Sequence, residues 1–316
     1  MKLLITCVPM ILRIDQYKKE LSSYDITIPQ FTQTMSEENL IKLIVEYDVW
    51  IAGDDPVTRK VLQKAKNLKM LVKWGIGIDN IDLDAIKEFN IPFSNTPGMF
   101  GNEVADVAIG YLLMITRKLN QINTEVKNGN WYKPAGISLK DKKVGLIGFG
   151  DIGRNIADRL LSLKTKIHVY DPGFIQENGK IKCIYTKMDL DSRLNNVILE
   201  NDINKVFIDS NIIILACAAN KENCHLINEE KIQLLKDKSY IINVSRGSLV
   251  DEKSIIKFLN NGKLEGFASD VFENEPLLDH PFINMKNVIV GSHNASNTIE
   301  GVDRTSIRAI ELLKSN

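Results

Sequence analysis

No stretch of this sequence approaches the ~18 consecutive apolar residues that a bilayer-crossing helix needs, so no membrane-embedded protein is expected. Net charge is absent as well. Forty basic residues against 40 acidic ones leave no overall field to draw in nucleic acid or an anionic membrane surface, although a local basic pocket remains compatible with that balance. Cysteine is scarce: Cys7, Cys183, Cys217 and Cys224 show neither metal-ligand nor disulfide spacing, which suits a reducing cytoplasm and gives no reason to expect a bound metal. Nor is a cleavable leader expected. The start, MKLLITCVPMILRID, places Lys2 ahead of an apolar run, but Pro9 interrupts the run, Arg13 ends it and no small-residue cleavage site follows, so it reads as a first strand.

What is present is a soluble globular composition, 44% hydrophobic and 25% charged, in 316 residues, enough for two domains of ordinary size. The most informative stretch is 144–171, VGLIGFGDIGRNIADRLLSLKTKIHVYD. An apolar strand (144–147) runs into a turn with Gly148, Gly150 and Gly153, then an amphipathic helix to about Leu163, then a second strand ending at Asp171. Gly148 permits the tight turn, Gly150 carries no side chain to hold a pyrophosphate off the backbone, and Gly153 lets helix and strand pack closely. The phosphate is expected on the free N–H groups at the helix start, around Gly150, Asp151, Ile152 and Gly153, where the helix dipole favours negative charge. GxGxxG alone is a weak signal; preceded by a strand, followed by a helix and closed by an acid, it reads as a dinucleotide fingerprint. Asp171 selects NAD, because a carboxylate accepts hydrogen bonds from the ribose hydroxyls and repels the extra phosphate of NADP.

Around the fingerprint, residues 1 to about 95 alternate short apolar runs (LLITC, DIT near Ile26, DVWIAG, MLVKW, IPFS) with helical patterns capped, in one case, by Ser36. Within them, Gly75, Ile76 and Gly77 follow a buried strand and form an N–H concavity suited to a carboxylate; on this stretch alone a plain glycine-rich turn accounts for them as well. One long, largely apolar helix is expected over 102–123, followed by the NGNW turn. Further strands are expected at 212–215, 240–244, 264–268 and 288–290, with a last helix over 298–314 returning to the first domain. The segment from Tyr185 to about Asn204 has no clear strand pattern and reads as a surface excursion. The expected fold is α/β: two Rossmann-like domains with doubly wound parallel sheets, the first discontinuous (1–98 and 294–316), the cofactor domain spanning 99–293.

Three motifs follow the last three strands: Asn243-Val244-Ser245-Arg246-Gly247, Asp270-Val271-Phe272-Glu273-Asn274-Glu275-Pro276 and Gly291-Ser292-His293-Asn294-Ala295. Ligands in an open α/β sheet bind outside the carboxyl ends of the strands, so Arg246, Glu275 and His293 should gather at the nicotinamide end of the cofactor. Their chemistry suits hydride transfer. His293 can move the proton that accompanies the hydride, Glu275 can hold the ring and raise its pKa, and Arg246 can bind a substrate carboxylate and polarise the reacting carbonyl. Singly, an arginine after a strand, a Glu-Pro turn or a lone histidine is more often structural; the three positions together support the chemical reading. His168, His225 and His280 lack such company and read as structural.

GIGIDNID (75–82), NTPG (95–98), NEVADVAIGYLL (102–113), the fingerprint, INVSRG (242–247) and DVFENEP (270–276) occur in order, with a histidine before the final helix. In this the chain resembles the D-isomer-specific 2-hydroxyacid dehydrogenases, most closely the D-3-phosphoglycerate dehydrogenase branch. The resemblance implies NAD as cofactor, with Arg246 as the substrate-binding arginine and Glu275 and His293 as the acid/base pair. It further implies that Asp270 meets the nicotinamide amide, that Val244, Ser245 and Ala295 line the cofactor site, and that Gly75, Ile76 and Gly77 receive the substrate carboxylate. It implies a homodimer joined through the cofactor domain, with the apolar helix and the Trp131 arm at the join, and a small-molecule 2-hydroxy or 2-oxo acid as the other partner. There are departures from the pattern: Ser292-His293-Asn294-Ala295-Ser296 replaces the usual Pro-His-Ile-Gly-Gly, and Cys217-Ala218-Ala219-Asn220 replaces Leu-Pro-Leu-Thr. Because the chain stops at Asn316, a regulatory domain and feedback by serine are not expected. The candidate substrates are 3-phosphoglycerate with phosphohydroxypyruvate, or a hydroxypyruvate/glyoxylate-type 2-oxo acid. Glu275, where the formate branch has glutamine, disfavours formate. A phosphate would need cations, for which Arg59, Lys60 and Lys73 are candidates, with Asp54 and Asp55 opposing. The reading from another class is a non-catalytic NAD-sensing scaffold, like the co-repressors built on this fold.

Overall fold

A computed structural model describes residues 1–30, 34–185 and 190–314. The chain divides into two compact units, Met1–Met99 with Asn297–Asn316, and Phe100–Ser296. Within the second unit the Ala295 N–H donates to the Asp270 carboxylate at 2.8 Å.

In the first unit β1 (Lys2–Ile5), β2 (Asp25–Thr27), β3 (Val49–Ala52), β4 (Met70–Lys73) and β5 (Phe93–Asn95) form a five-stranded parallel sheet in the order β2-β1-β3-β4-β5. Helices α1 (Val8–Ile11), α2 (Glu37–Leu43), α3 (Arg59–Lys64) and α4 (Leu83–Glu88) connect the strands, and Ser36 caps α2 by accepting the Asn39 N–H. The inner strands β3 and β4 are buried on both faces, which is why they read as continuous apolar runs. Trp50 lies at the centre of the core, its indole N–H donating to Thr6 Oγ1 at 2.9 Å. The terminal helix, Ile299–Lys314, packs in the same unit: Asp303 takes the Arg13 guanidinium at 2.7 Å and the Tyr17 hydroxyl at 2.5 Å.

In the second unit the helices are α5 (Gly101–Thr116), α6 (Leu119–Lys127), α7 (Asp151–Ser162), α8 (Ile203–Asp209), α9 (Glu229–Leu234) and α10 (Glu252–Asn260). The strands are β6 (Lys143–Ile147), β7 (Lys166–Tyr170), the antiparallel pair β8 (Phe174–Glu177) and β9 (Lys180–Cys183), β10 (Ile198–Leu199), β11 (Ile212–Leu215), β12 (Ser239–Asn243), β13 (Leu264–Ser269) and β14 (Val288–Val290). Seven of these form one parallel sheet, ordered β10-β7-β6-β11-β12-β13-β14. Strand order reverses between β6 and β11, the switch point at which such sheets bind ligands. Among the described residues no helix is long and apolar enough to cross a membrane.

Three expectations need correction. The helix over 102–123 is two helices, because the carbonyl of Thr116 accepts the N–H of Ile137 at 3.0 Å instead of continuing the helical ladder, and Lys118 turns left-handed at φ 57°. The segment after Tyr185 is not merely a surface excursion. Residues 186–189 lie outside the described residues, but Ile198 and Leu199 pair with His168 and Val169 as an edge strand too short to show periodicity. The hairpin β8–β9 was not expected, although its turn carries the signal: Asn178 and Gly179 both take positive φ, as a two-residue hairpin requires.

Phe207 on α8 is fully buried in the core between α8, α9 and the sheet. Phe207→Ala should cost about 3–5 kcal/mol in urea unfolding, and a loss below about 1 kcal/mol would contradict this packing.

Candidate functional site

The turn after β6 can be built only with glycine at two positions. Gly148 has φ +98°, and a Cβ there would lie 2.6 Å from the Cys217 amide nitrogen and 2.7 Å from the Ala216 carbonyl carbon. A Cβ on Gly153 would run into the Gly148 carbonyl, so α7 meets the end of β6 at backbone distance. Gly150 differs: no heavy atom lies within 4 Å of its Cβ position, so its missing side chain leaves open space at the N-cap of α7. The first intrahelical bond runs from Arg154 N to Gly150 O, leaving the Asp151, Ile152 and Gly153 N–H groups at an open helix start, as a pyrophosphate requires. The Asp151 side chain turns elsewhere, within 3.3 Å of Asn155 Nδ2 and against Gly101 of α5. At the end of β7, Asp171 accepts the Phe149 N–H at 2.6 Å on one oxygen and the Gly173 N–H at 2.7 Å on the other. The carboxylate is thereby fixed, and each oxygen keeps a second lone pair for a ribose hydroxyl. An NAD molecule fits these residues.

The three downstream motifs do come together at the carboxyl ends of β12, β13 and β14. Asn243 brackets the first loop: its Oδ1 accepts the Ser245 N–H at 3.0 Å and its Nδ2 donates to the Arg246 carbonyl at 2.9 Å. The Ser245 hydroxyl bonds the Cys217 carbonyl, Val244 is buried, and Arg246 Nη1 donates to the Ser245 carbonyl at 2.9 Å, which sets the guanidinium plane. A Cβ on Gly247 would collide with the peptide joining Phe272 and Glu273, so the arginine loop lies directly on the glutamate loop.

Asp270, 2% exposed, joins the remaining pieces. One carboxylate oxygen accepts the Tyr111 hydroxyl at 3.0 Å, the other accepts the Ala295 N–H at 2.8 Å, and its carbonyl accepts the His293 N–H at 2.7 Å. Tyr111, on α5, is a site residue that sequence reasoning missed; only its place inside NEVADVAIGYLL marked it. Burial first, then the Asp270 charge, pushes the Tyr111 phenol up from its ordinary value, so it stays a proton donor. A Cβ on Gly291 would run into both members of this pair.

Glu275 Oε1 accepts the Phe272 N–H at 2.9 Å, and its Oε2 lies 2.7 Å from His293 Nδ1. Burial pushes the Glu275 carboxyl upward, but the His293 hydrogen bond and charge, the Phe272 N–H and the Arg246 charge outweigh it and hold the group below its ordinary value. His293 is left-handed at φ 54°, a conformation pinned by the bond from its N–H to Asp270. Nδ1 of the ring is turned to Glu275.

In the first unit Gly75 has φ +117°, and its N–H is already taken by Thr96 Oγ1 at 2.8 Å. The expected role of Gly75 as an amide donor therefore does not match its hydrogen bonding; those of Ile76 and Gly77 remain. Asn95 Nδ2 holds the Ile76 carbonyl at 3.0 Å, and the Trp74 indole donates to Ser306 Oγ at 3.1 Å, so this loop is firmly set. The cations considered for a phosphate are all engaged within the unit. Lys73, only 4% exposed, lies 2.9 Å from Asp54; Arg59 lies 2.5 Å from Glu88; and Lys60 lies 3.3 Å from Glu37.

The family model described as D-isomer specific 2-hydroxyacid dehydrogenase, NAD binding domain, matches residues 109–295. The chain is 33% identical over 277 residues to the glyoxylate reductase of Thermofilum pendens, covering 85% of this chain and 78% of that one. It is 32% identical over 283 residues to the D-3-phosphoglycerate dehydrogenase of Methanocaldococcus jannaschii, covering 89% of this chain but 52% of the relative, about half its length. The D-lactate dehydrogenase of Aquifex aeolicus, solved with NAD and lactic acid, shares the fold at TM-score 0.84 and 24% identity, over 100% of this chain and 95% of that one.

Because the Glu275 carboxyl is depressed in the folded state, its contribution to stability is present above its unfolded value, about 4.3, and is lost as pH falls through the lower folded value. Glu275→Gln should therefore be less stable than wild type in urea at pH 7, with the gap closing toward about pH 3; a gap that widens on acidification would contradict the pairing.

Proposed function

Since the chain belongs to the D-isomer specific 2-hydroxyacid dehydrogenases, we propose that it reduces a small, unphosphorylated 2-oxo acid of the hydroxypyruvate/glyoxylate type, Arg246, Glu275 and His293 serving the reaction. The observation that carries the substrate reading is the pairing of Lys73, Arg59 and Lys60 with Asp54, Glu88 and Glu37: a phosphate would have to displace those carboxylates to gain a cation. A two- or three-carbon acid asks only for a carboxylate site, for which the Arg246 guanidinium has the charge and the paired donors. The 3-phosphoglycerate reading is correspondingly the weaker of the two.

NAD, when bound, gives or takes the hydride. The groups of the chain handle the rest. Arg246 binds the substrate carboxylate and draws electron density from the adjacent carbonyl. His293 Nε2 gives its proton to the carbonyl oxygen in reduction and receives it in oxidation, while the Glu275 carboxylate at Nδ1 holds the ring and balances the imidazolium. Asp270 fixes the loop that carries His293 and lies within the surface expected to meet the nicotinamide amide. Trp131, 78% exposed, together with the half-exposed Tyr132, supports a homodimer through this arm and α5.

An NADH-oxidation screen over 2-oxo acids tests the substrate reading. Hydroxypyruvate or glyoxylate should give the highest kcat/KM; a preference for phosphohydroxypyruvate overturns it, and no turnover on any acid favours the scaffold. With the preferred acid, His293→Ala should lower kcat by ~10²-fold or more, and near-normal turnover would remove His293 from the proton transfer.

A further inference from the structure

Outside the proposed proton-handling pair lies a second group of ionisable side chains whose geometry bears on it. Glu252, at the start of α10 and 7% exposed, accepts the Glu273 N–H at 3.0 Å, and the Glu252 N–H lies 3.4 Å from the Glu273 carboxylate. Each glutamate thus holds the other's backbone. Each also has a histidine: His280 Nε2 is 3.3 Å from Glu252 Oε2, and His225 Nε2 is 3.0 Å from Glu273 Oε1. His280 Nδ1 accepts the Phe282 N–H at 3.3 Å, so a neutral ring with its proton on Nε2 satisfies both contacts. Asp251, the cap of its own helix, also adjoins Glu252, and Arg246 and Asp270 adjoin the Glu275–His293 pair.

The bond gripped by Glu252 belongs to the turn that aims Glu275. The Phe272–Glu273 peptide is pressed by Gly247 of the arginine loop, its Glu273 N–H is held by Glu252, and the preceding N–H, that of Phe272, donates to Glu275 Oε1. Carboxylate, amide, turn, carboxylate and imidazole follow one another without a gap. Burying Glu252 pushes its carboxyl upward, and the Glu273 N–H opposes that; so few solvent contacts leave the side chain little reason to be there except what it holds.

We propose that Glu252 is a positioning residue for proton transfer: through the Glu273 amide it fixes the turn that directs Glu275 onto His293, and so sets the acid strength of the imidazole. The role rests on the hydride-transfer reading above, but its test does not need turnover. His225 and His280, structural by sequence, become parts of this clamp.

The chain has four histidines, so the ring signals of His293 can be assigned by single substitutions and titrated by NMR in the full-length protein. Glu252→Ala removes the acceptor. Glu252→Gln keeps an acceptor for the Glu273 N–H while removing the charge. The Ala variant should lower the His293 midpoint by about 0.5 pH unit or more, and the Gln variant should stay near wild type. If Ala does not fold, Glu252→Asp, one methylene too short to reach the amide, carries the same expectation as Ala with the charge retained. Equal shifts in Ala and Gln would mean a charge effect alone, and no shift in Ala or Asp would mean a merely structural role; either overturns the proposal. In turnover, Ala or Asp should lower kcat and leave KM for NADH in place. Failure of wild type to oxidise NADH would count against the function and leave the titration result standing.

Discussion

A carboxylate withdrawn from water must find donors, and Asp270 finds them in segments distant in sequence: the Tyr111 hydroxyl on α5 and the Ala295 N–H beyond β14. Satisfying that group draws the long helix, the end of β13 and the histidine turn to one point. The backbone carbonyl of Asp270 then pins His293 in its left-handed conformation, and five residues along the chain Glu275 meets the imidazole. Gly291 can be nothing larger because the Asp270–Tyr111 bond occupies the space a side chain would need. The chemistry proposed for Arg246, Glu275 and His293 depends on this satisfied buried anion, which was expected only as a cofactor contact.

Much of the fold was legible because parallel strands buried on both faces leave uninterrupted apolar runs, as at Ile212–Leu215, and because the motifs follow those runs directly. The glycine turn was legible for the same reason, with Gly148 taking the positive φ and Gly153 the close approach that their spacing implied. Pairings across the chain were not. Nothing local to Tyr111 announces Asp270, 159 residues away, and nothing local to Lys73 announces that Asp54 neutralises it. The break between α5 and α6 was hidden because the competing partner of the Thr116 carbonyl, Ile137, comes from a stretch without periodicity. Gly75 resembled an open amide donor, but Thr96, just after β5, supplies the acceptor.

The two parts of the function rest on different physics. Cofactor binding follows from backbone geometry, where glycine is required for a turn and a close approach, and from one carboxylate held by two N–H groups. The proposed substrate choice rests on charge in the first unit, where Lys73, Arg59 and Lys60 already have carboxylate partners. The proposed proton transfer lies between: a depressed Glu275 beside an imidazole is a local electrostatic arrangement, while the loops from β12 and β13 and the Glu252–Glu273 hydrogen bond hold the turn that carries it.

The central claim is that hydride passes from NADH to the face of C2 of a 2-oxo acid that gives the D-isomer, while His293 delivers the proton to the carbonyl oxygen. Reduction of hydroxypyruvate with NADH carrying deuterium at both C4 positions, followed by NMR and chiral chromatography of the product, tests it most directly. The account predicts D-glycerate with deuterium at C2. Unlabelled product, or the L-isomer, would contradict it.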